Sequence, residues 1–120
     1  MPSEHTYDGE HRALELHLVN KNTIGDYIDV TVISISFELS FFDNSFNNHL
    51  FSLIKFPENM DVKDARSHHF ELDFLDILDS AITTNPYAYS YKGSITTPKC
   101  NEYVSWLVMR NPLLISESQL

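Results

Sequence analysis

With 120 residues the chain holds one domain at most, long enough for a single core if its elements are complete. Its 8 Lys and Arg against 17 Asp and Glu leave a formal net charge of -9, with no basic stripe to neutralise phosphates, so nucleic acid is not an expected partner. Hydrophobic residues make up 42%, ordinary for a globular domain, and no apolar run approaches the ~20 residues that span a bilayer, so no membrane segment is expected. The opening "PSEHTYDGEH" has neither a charged nor an apolar region of a secretory signal, and localisation stays open.

The first element is "ALELHLVN", Ala13 to Asn20. In an extended strand Leu14, Leu16 and Leu18 share one face, and Ala13, Glu15, His17 and Val19 the other. On these residues alone Glu15 and His17 read as solvent-facing, because Glu is rarely buried unpaired. The competing reading is a metal-ligand histidine held from behind by a carboxylate. "NKNTIGDYID", residues 20 to 29, then reads as a turn. "VTVISISFEL" is a second strand, with Val30, Val32, Ser34 and Ser36 on one face and Thr31, Ile33, Ile35 and Phe37 on the other.

From "DNSFNNHLFSLIKF" the period changes: Phe46, Leu50, Leu53 and Ile54 predict a helix capped by Ser45 or Asp43 and ending before Pro57. Residues 57 to 69 are polar and irregular, and "FELDFLDILDSAI" is a short helix or a strand followed by one. "NPYAYSYKGSITTPKCNEY" is dense in turn formers and aromatics, and "YVSWLVM" alternates as a third strand. "SESQ", Ser116 to Gln119, has the form of a capping box. Such a box announces a helix just where the sequence stops, the pattern expected of a fragment. Cys100 has no second cysteine in the sequence to pair with.

Four motifs in order resemble the α-class carbonic anhydrases: "SEHTYDG" (Ser3 to Gly9), "ALELHLV" (Ala13 to Val19), "YSYKGSITTPKC" (Tyr89 to Cys100) and "VSWLVMRNPLLISESQL" (Val104 to Leu120). The resemblance covers about the middle half of that fold. It implies a mainly β, α+β architecture, a twisted mixed sheet truncated at both ends, over residues 1 to 120. The implied activity is zinc-dependent reversible hydration of CO2 to bicarbonate.

By position, His17 resembles the third zinc-ligand histidine and Glu15 the carboxylate that holds it. Thr96 resembles the threonine that accepts a hydrogen bond from the attacking hydroxide, and Glu4 the glutamate that receives the threonine's proton in turn. His5 and Tyr91 resemble a bracing pair. Val19, Val32, Ile95, Val104 and Trp106 resemble the apolar wall where CO2 sits, and Thr97 a second threonine near the product. Cys100 resembles the disulfide cysteine of secreted members. Without the resemblance, Glu4 is a solvated terminal residue, Trp106 and the valines are core, and His5, His11, His49, His68 and His69 need no function. Lys99 stands where the family usually has a second proline, and Asn20 where many members have histidine.

The family's other two zinc ligands form an H-x-H pair on an upstream strand, and no H-x-H occurs in these 120 residues. One imidazole cannot close a tetrahedral site, so this chain alone is expected neither to bind catalytic zinc nor to be active. Unpaired sheet edges are expected, to be covered by the remainder of the domain or by a protein partner. The alternative is a zinc-free carbonic-anhydrase-related structural or binding subunit of a larger assembly. An unrelated antiparallel binding module is a third reading.

Overall fold

A computed structural model describes residues 2–54 and 86–120; the expectations for residues 57–69 and 70–82, with His68 and His69, lie outside them. Two short strands, β1 (Thr6–Tyr7) and β2 (Glu10–His11), pair through a turn in which Asp8 (φ 54) and Gly9 (φ 87) are both left-handed. That is the backbone a two-residue hairpin turn demands, and Asp and Gly tolerate it.

β3 (Leu14–Ile24) and β4 (Tyr27–Ser40) form one long antiparallel hairpin, registered from Leu14 opposite Phe37 to Ile24 opposite Tyr27. Only Gly25 and Asp26 remain as the turn, with Gly25 at φ 61. The turn expected over residues 20 to 29 is therefore corrected to two residues. Thr23, Ile24, Tyr27 and Ile28 are strong strand formers, and the ladder between them outweighs the weaker turn signals of Asn20 and Asn22.

β4 is the hub of a mixed sheet. β6 (Val104–Met109) runs parallel to it, from Val30 opposite Val104 to Ser34 opposite Val108, and β7 (Leu113–Ser116) continues along the same edge opposite Phe37 to Ser40. β5 (Ala88–Gly93) lies antiparallel against β6, giving the order β3-β4-β6-β5 with β7 beside β4. The sequence reading contains β6 but places β5 in turn-rich chain and leaves β7 out. Four residues of β7 are too few to display a period, and β5 borrows its hydrogen bonds from β6.

Both faces of β4 are covered. On one, Ile35 and Phe37 pack with Leu50, Met109, Leu113 and Ile115, and Leu14, Leu16, Leu18 and Ile33 add to them. On the other, Val30 and Val32 pack with Val104, Trp106 and Val108. α1 spans Ser45–Ile54 and contributes Leu50 to the first cluster. Its first carbonyl acceptor is Asn44, which takes the Asn48 N–H at 3.1 Å, while Asp43 Oδ1 receives the Ser118 hydroxyl at 2.8 Å as well as that of Ser116. The Ser116–Gln119 capping box forms: the Ser116 N–H donates to Gln119 Oε1 at 3.3 Å and the Gln119 N–H to Ser116 Oγ at 3.2 Å. Gln119 also binds both the N–H and the carbonyl of Asn44, so the box is tied to the start of α1.

Phe37 is 1% exposed and Phe41 fully exposed, which sets a paired test. Phe37→Ala should lower stability by about 3–5 kcal/mol, read as a fall in the denaturation midpoint. Phe41→Ala should stay within about 0.5 kcal/mol of the parent.

Candidate functional site

Cross-strand partners share a face, so register alone assembles the site. His17 lies opposite Ser34, Ser34 beside Val108, and Val108 opposite Tyr89. In the next row Val19, Val32, Trp106 and Tyr91 follow one another across the sheet. Glu15 and His17 thus project onto the Val/Trp face. The solvent-facing reading of Glu15 is corrected: its side chain is 3% exposed and that of His17 21%.

A buried carboxylate is costly unless its lone pairs are filled. Glu15 Oε1 accepts Nδ1–H of His5 at 2.5 Å, Nε2–H of His17 at 2.6 Å and the Ser34 hydroxyl at 2.6 Å. Oε2 accepts the backbone N–H of His5 at 2.9 Å. Burial is the largest single influence on the Glu15 carboxyl and pushes its pKa up, but the bonds from His17, Ser34 and His5 outweigh it and hold the group well below the usual carboxylate range.

Being ionised, Glu15 has no proton to give, so each facing ring nitrogen carries its own. His5 is then left with an acceptor at Nε2, filled by the Tyr91 hydroxyl at 2.8 Å. His17 is left with a lone pair on Nδ1, which makes no hydrogen bond among the described residues; Glu4 Oε2 stands 4.0 Å away. The Trp106 ring packs edge-on against both imidazoles, 5.1 Å from His5 and 5.0 Å from His17, and stacks with Tyr91 at 6.1 Å. Its Nε1–H donates to the Ser94 carbonyl at 3.1 Å. Gly93 makes room for this: a Cβ there would sit 2.8 Å from the Tyr91 ring.

The ligand atoms of His5, Glu15 and His17 lie within 4.8 Å of one another. As placed, they do not fit a zinc ion among them. Ligands at zinc's usual distances in a tetrahedron stand about 3.3 Å apart, whereas both nitrogens sit 2.5–2.6 Å from Glu15 Oε1 with a proton between. Nδ1 of His17 is the one ring nitrogen of the pair that makes no hydrogen bond among the described residues.

The other candidates are placed less uniformly. Val32, Val104 and Trp106 are buried in one cluster, and Ile95 packs against it, but Val19, midway along β3, is 64% exposed. Thr96 and Thr97 are exposed in the loop after β5, where the Thr97 carbonyl accepts the Cys100 N–H at 2.8 Å. No hydrogen bond joins Glu4 to Thr96 among the described residues, and the Glu4 side chain is 54% exposed. Cys100 is an exposed free thiol. Two residues went unassigned in the sequence reading. Ser34 is a donor to Glu15, and its signal was a serine within a valine and isoleucine strand, on the face that receives His17. Arg12 donates to Ser36 Oγ at 2.6 Å and lies 3.6 Å from the Tyr7 ring centre, bracing the same face.

Comparison with known proteins accords with this geometry. The family model for eukaryotic-type carbonic anhydrase matches residues 1–120. A carbonic anhydrase of Klebsiella pneumoniae is 34% identical over 119 residues, covering 99% of this chain and 44% of that protein. Among solved structures, the α-carbonic anhydrase of Thermovibrio ammonificans, in complex with the inhibitor sulfanilamide, superposes with a TM-score of 0.73 at 28% identity, covering 98% of this chain and 47% of that one. The α-carbonic anhydrase of Aspergillus oryzae gives a TM-score of 0.74 at 27% identity, with 98% and 48% covered. The chain belongs to the eukaryotic-type, or α-class, carbonic anhydrase family. It spans less than half the length of these relatives.

The charge arrangement has two measurable consequences. Glu15→Gln should cost about 2 kcal/mol at neutral pH, the scale of a hydrogen bond to a charged group. A depressed folded-state pKa stabilises above the unfolded value of 4.5 and ceases to as pH falls through the folded one, so the gap between parent and variant should narrow in acid denaturation below about pH 4.5. Burial, and after it the Glu15 charge, raise the Tyr91 phenol above its ordinary 10.0. In an ultraviolet titration Glu15→Gln should bring that transition part of the way back.

Proposed function

We propose that this chain is part of a carbonic anhydrase domain and contributes His17, through Nδ1, as one of three zinc ligands. The H-x-H pair that would supply the other two does not occur within these 120 residues, and the activity, reversible hydration of CO2 to bicarbonate, belongs to the complete domain. The observation that carries this reading is the Glu15 to His17 hydrogen bond at 2.6 Å, which puts a proton on Nε2, so that in the neutral ring Nδ1 carries the lone pair. Metal-binding histidines are held in this way. Zinc supplies Lewis acidity and a bound water of pKa about 7, as is known of carbonic anhydrases.

The chain's own residues prepare for that chemistry. Val32, Val104, Trp106 and Ile95 form an apolar wall beside His17, suited to an uncharged gas that is held by dispersion alone. In the complete domain Thr96 would orient the attacking oxygen by accepting its hydrogen bond while donating its own proton to Glu4. That relay requires a Thr96 to Glu4 hydrogen bond, whereas here the carboxylate of Glu4 stands 4.0 Å from His17 Nδ1. The sheet is completed by the rest of the domain or by a protein partner: among the described residues β3 and β5 each pair with one strand only. No helix among the described residues is long and apolar enough to cross a membrane.

Elemental analysis for zinc and a CO2 hydration assay, on this chain and on a version extended upstream by a strand carrying H-x-H, test the proposal. Zinc and activity should appear only with the extension. Activity in the 120-residue chain itself would overturn the ligand assignment. An extended protein that folds yet holds no zinc would point instead to a zinc-free structural subunit.

A further inference from the structure

Ser34 sits mid-strand in β4, fully buried, directly opposite His17. Its hydroxyl donates to Glu15 Oε1 at 2.6 Å. That oxygen also takes His5 at 2.5 Å and His17 at 2.6 Å, whereas Oε2 takes a single backbone N–H from His5 at 2.9 Å. A carboxylate offers about four lone-pair sites, two on each oxygen. Three donors on Oε1 exceed its share while Oε2 has room. Donors crowded on one oxygen compete, because each draws off negative charge that strengthens the others.

Ser34 is not needed to hold the carboxylate in place. Three N–H donors, from the His5 backbone, the His5 ring and the His17 ring, would still grip it. What the hydroxyl changes is the strength of their bonds. The imidazoles are unequal in this respect: His5 is held at its second nitrogen by Tyr91, whereas Nδ1 of His17 has no hydrogen-bond partner among the described residues.

We infer that Ser34 is a positioning residue that weakens the hold of Glu15 on His17 and so lowers the electron density that His17 Nδ1 presents to a metal. The consequence for metal rests on the reading of His17 as a ligand; the competition at Glu15 does not. A carboxylate behind an imidazole raises its donor strength, and a serine drawing on that same oxygen reduces the effect.

The test is proton–nitrogen NMR of the folded chain labelled at histidine, recorded at neutral pH on the parent, Ser34→Ala and Ser34→Thr. With Ser34→Ala, the Nε2–H proton of His17 and the Nδ1–H proton of His5 should both move downfield, His17 the further. Ser34→Thr, which keeps the hydroxyl, should stay near the parent. Unmoved signals in Ser34→Ala would overturn the inference, as would loss of the His17 signal through release of the ring. Equal movement in Ser34→Thr and Ser34→Ala would also overturn it, because packing would then be the cause. The parent reading fails differently: these shifts occur, but zinc leaves the His17 Nδ1 resonance untouched in the chain extended by the H-x-H strand.

Discussion

Glu15 Oε1 is the point on which this molecule's chemistry turns, because a carboxylate buried on a sheet face must have its charge answered by protons from its neighbours. Those protons come from well-separated stretches of the chain. His5 precedes β1, His17 shares β3 with the acid, and Ser34 is in β4. Tyr91 in β5 extends the network by one hydrogen bond. The same bonds fix which nitrogen of each imidazole carries hydrogen. One electrostatic requirement therefore ties distant segments together and decides the chemical character of both histidines.

The sheet makes this possible by covering β4 on both faces. Aliphatic packing from Phe37, Ile115 and Leu50 stabilises one side, so the other can hold Glu15, Ser34 and Ser36 among valines and Trp106. Polar groups on that second face are admitted in matched sets. Ser36 and Arg12 are one, and Ser34 and Glu15 another. Because β6 and β7 follow one another along a single edge of β4, their parallel register carries both clusters without a break.

The chain belongs to the carbonic anhydrase family and spans less than half the length of the relatives it matches. The residues it contains include a braced imidazole and an apolar wall. Its loop after β5 lies exposed, as does Val19 midway along β3.

Strands with a clear alternation were legible in the residues themselves. Leu14, Leu16 and Leu18 mark β3, the valines and isoleucines mark β4, and Val104 to Met109 mark β6, because burial on a pleated surface imposes a period of two. Motif order singled out His17, Glu15, His5 and Tyr91, which hydrogen bonds join in the fold. Periodicity did not reveal β5 or β7, nor the full length of the hairpin, since a ladder with a neighbour can recruit residues with weak preferences of their own. Nor could the octet around His17 tell a solvated Glu15 from a buried one: alternation says which side chains share a face, while what covers that face comes from Ser34, Trp106 and His5, remote in sequence. The chain's chemistry was thus written locally as residue types in order, whereas burial, tautomer and the crowding on one oxygen were decided only when distant strands met, because each depends on distances that no local pattern encodes.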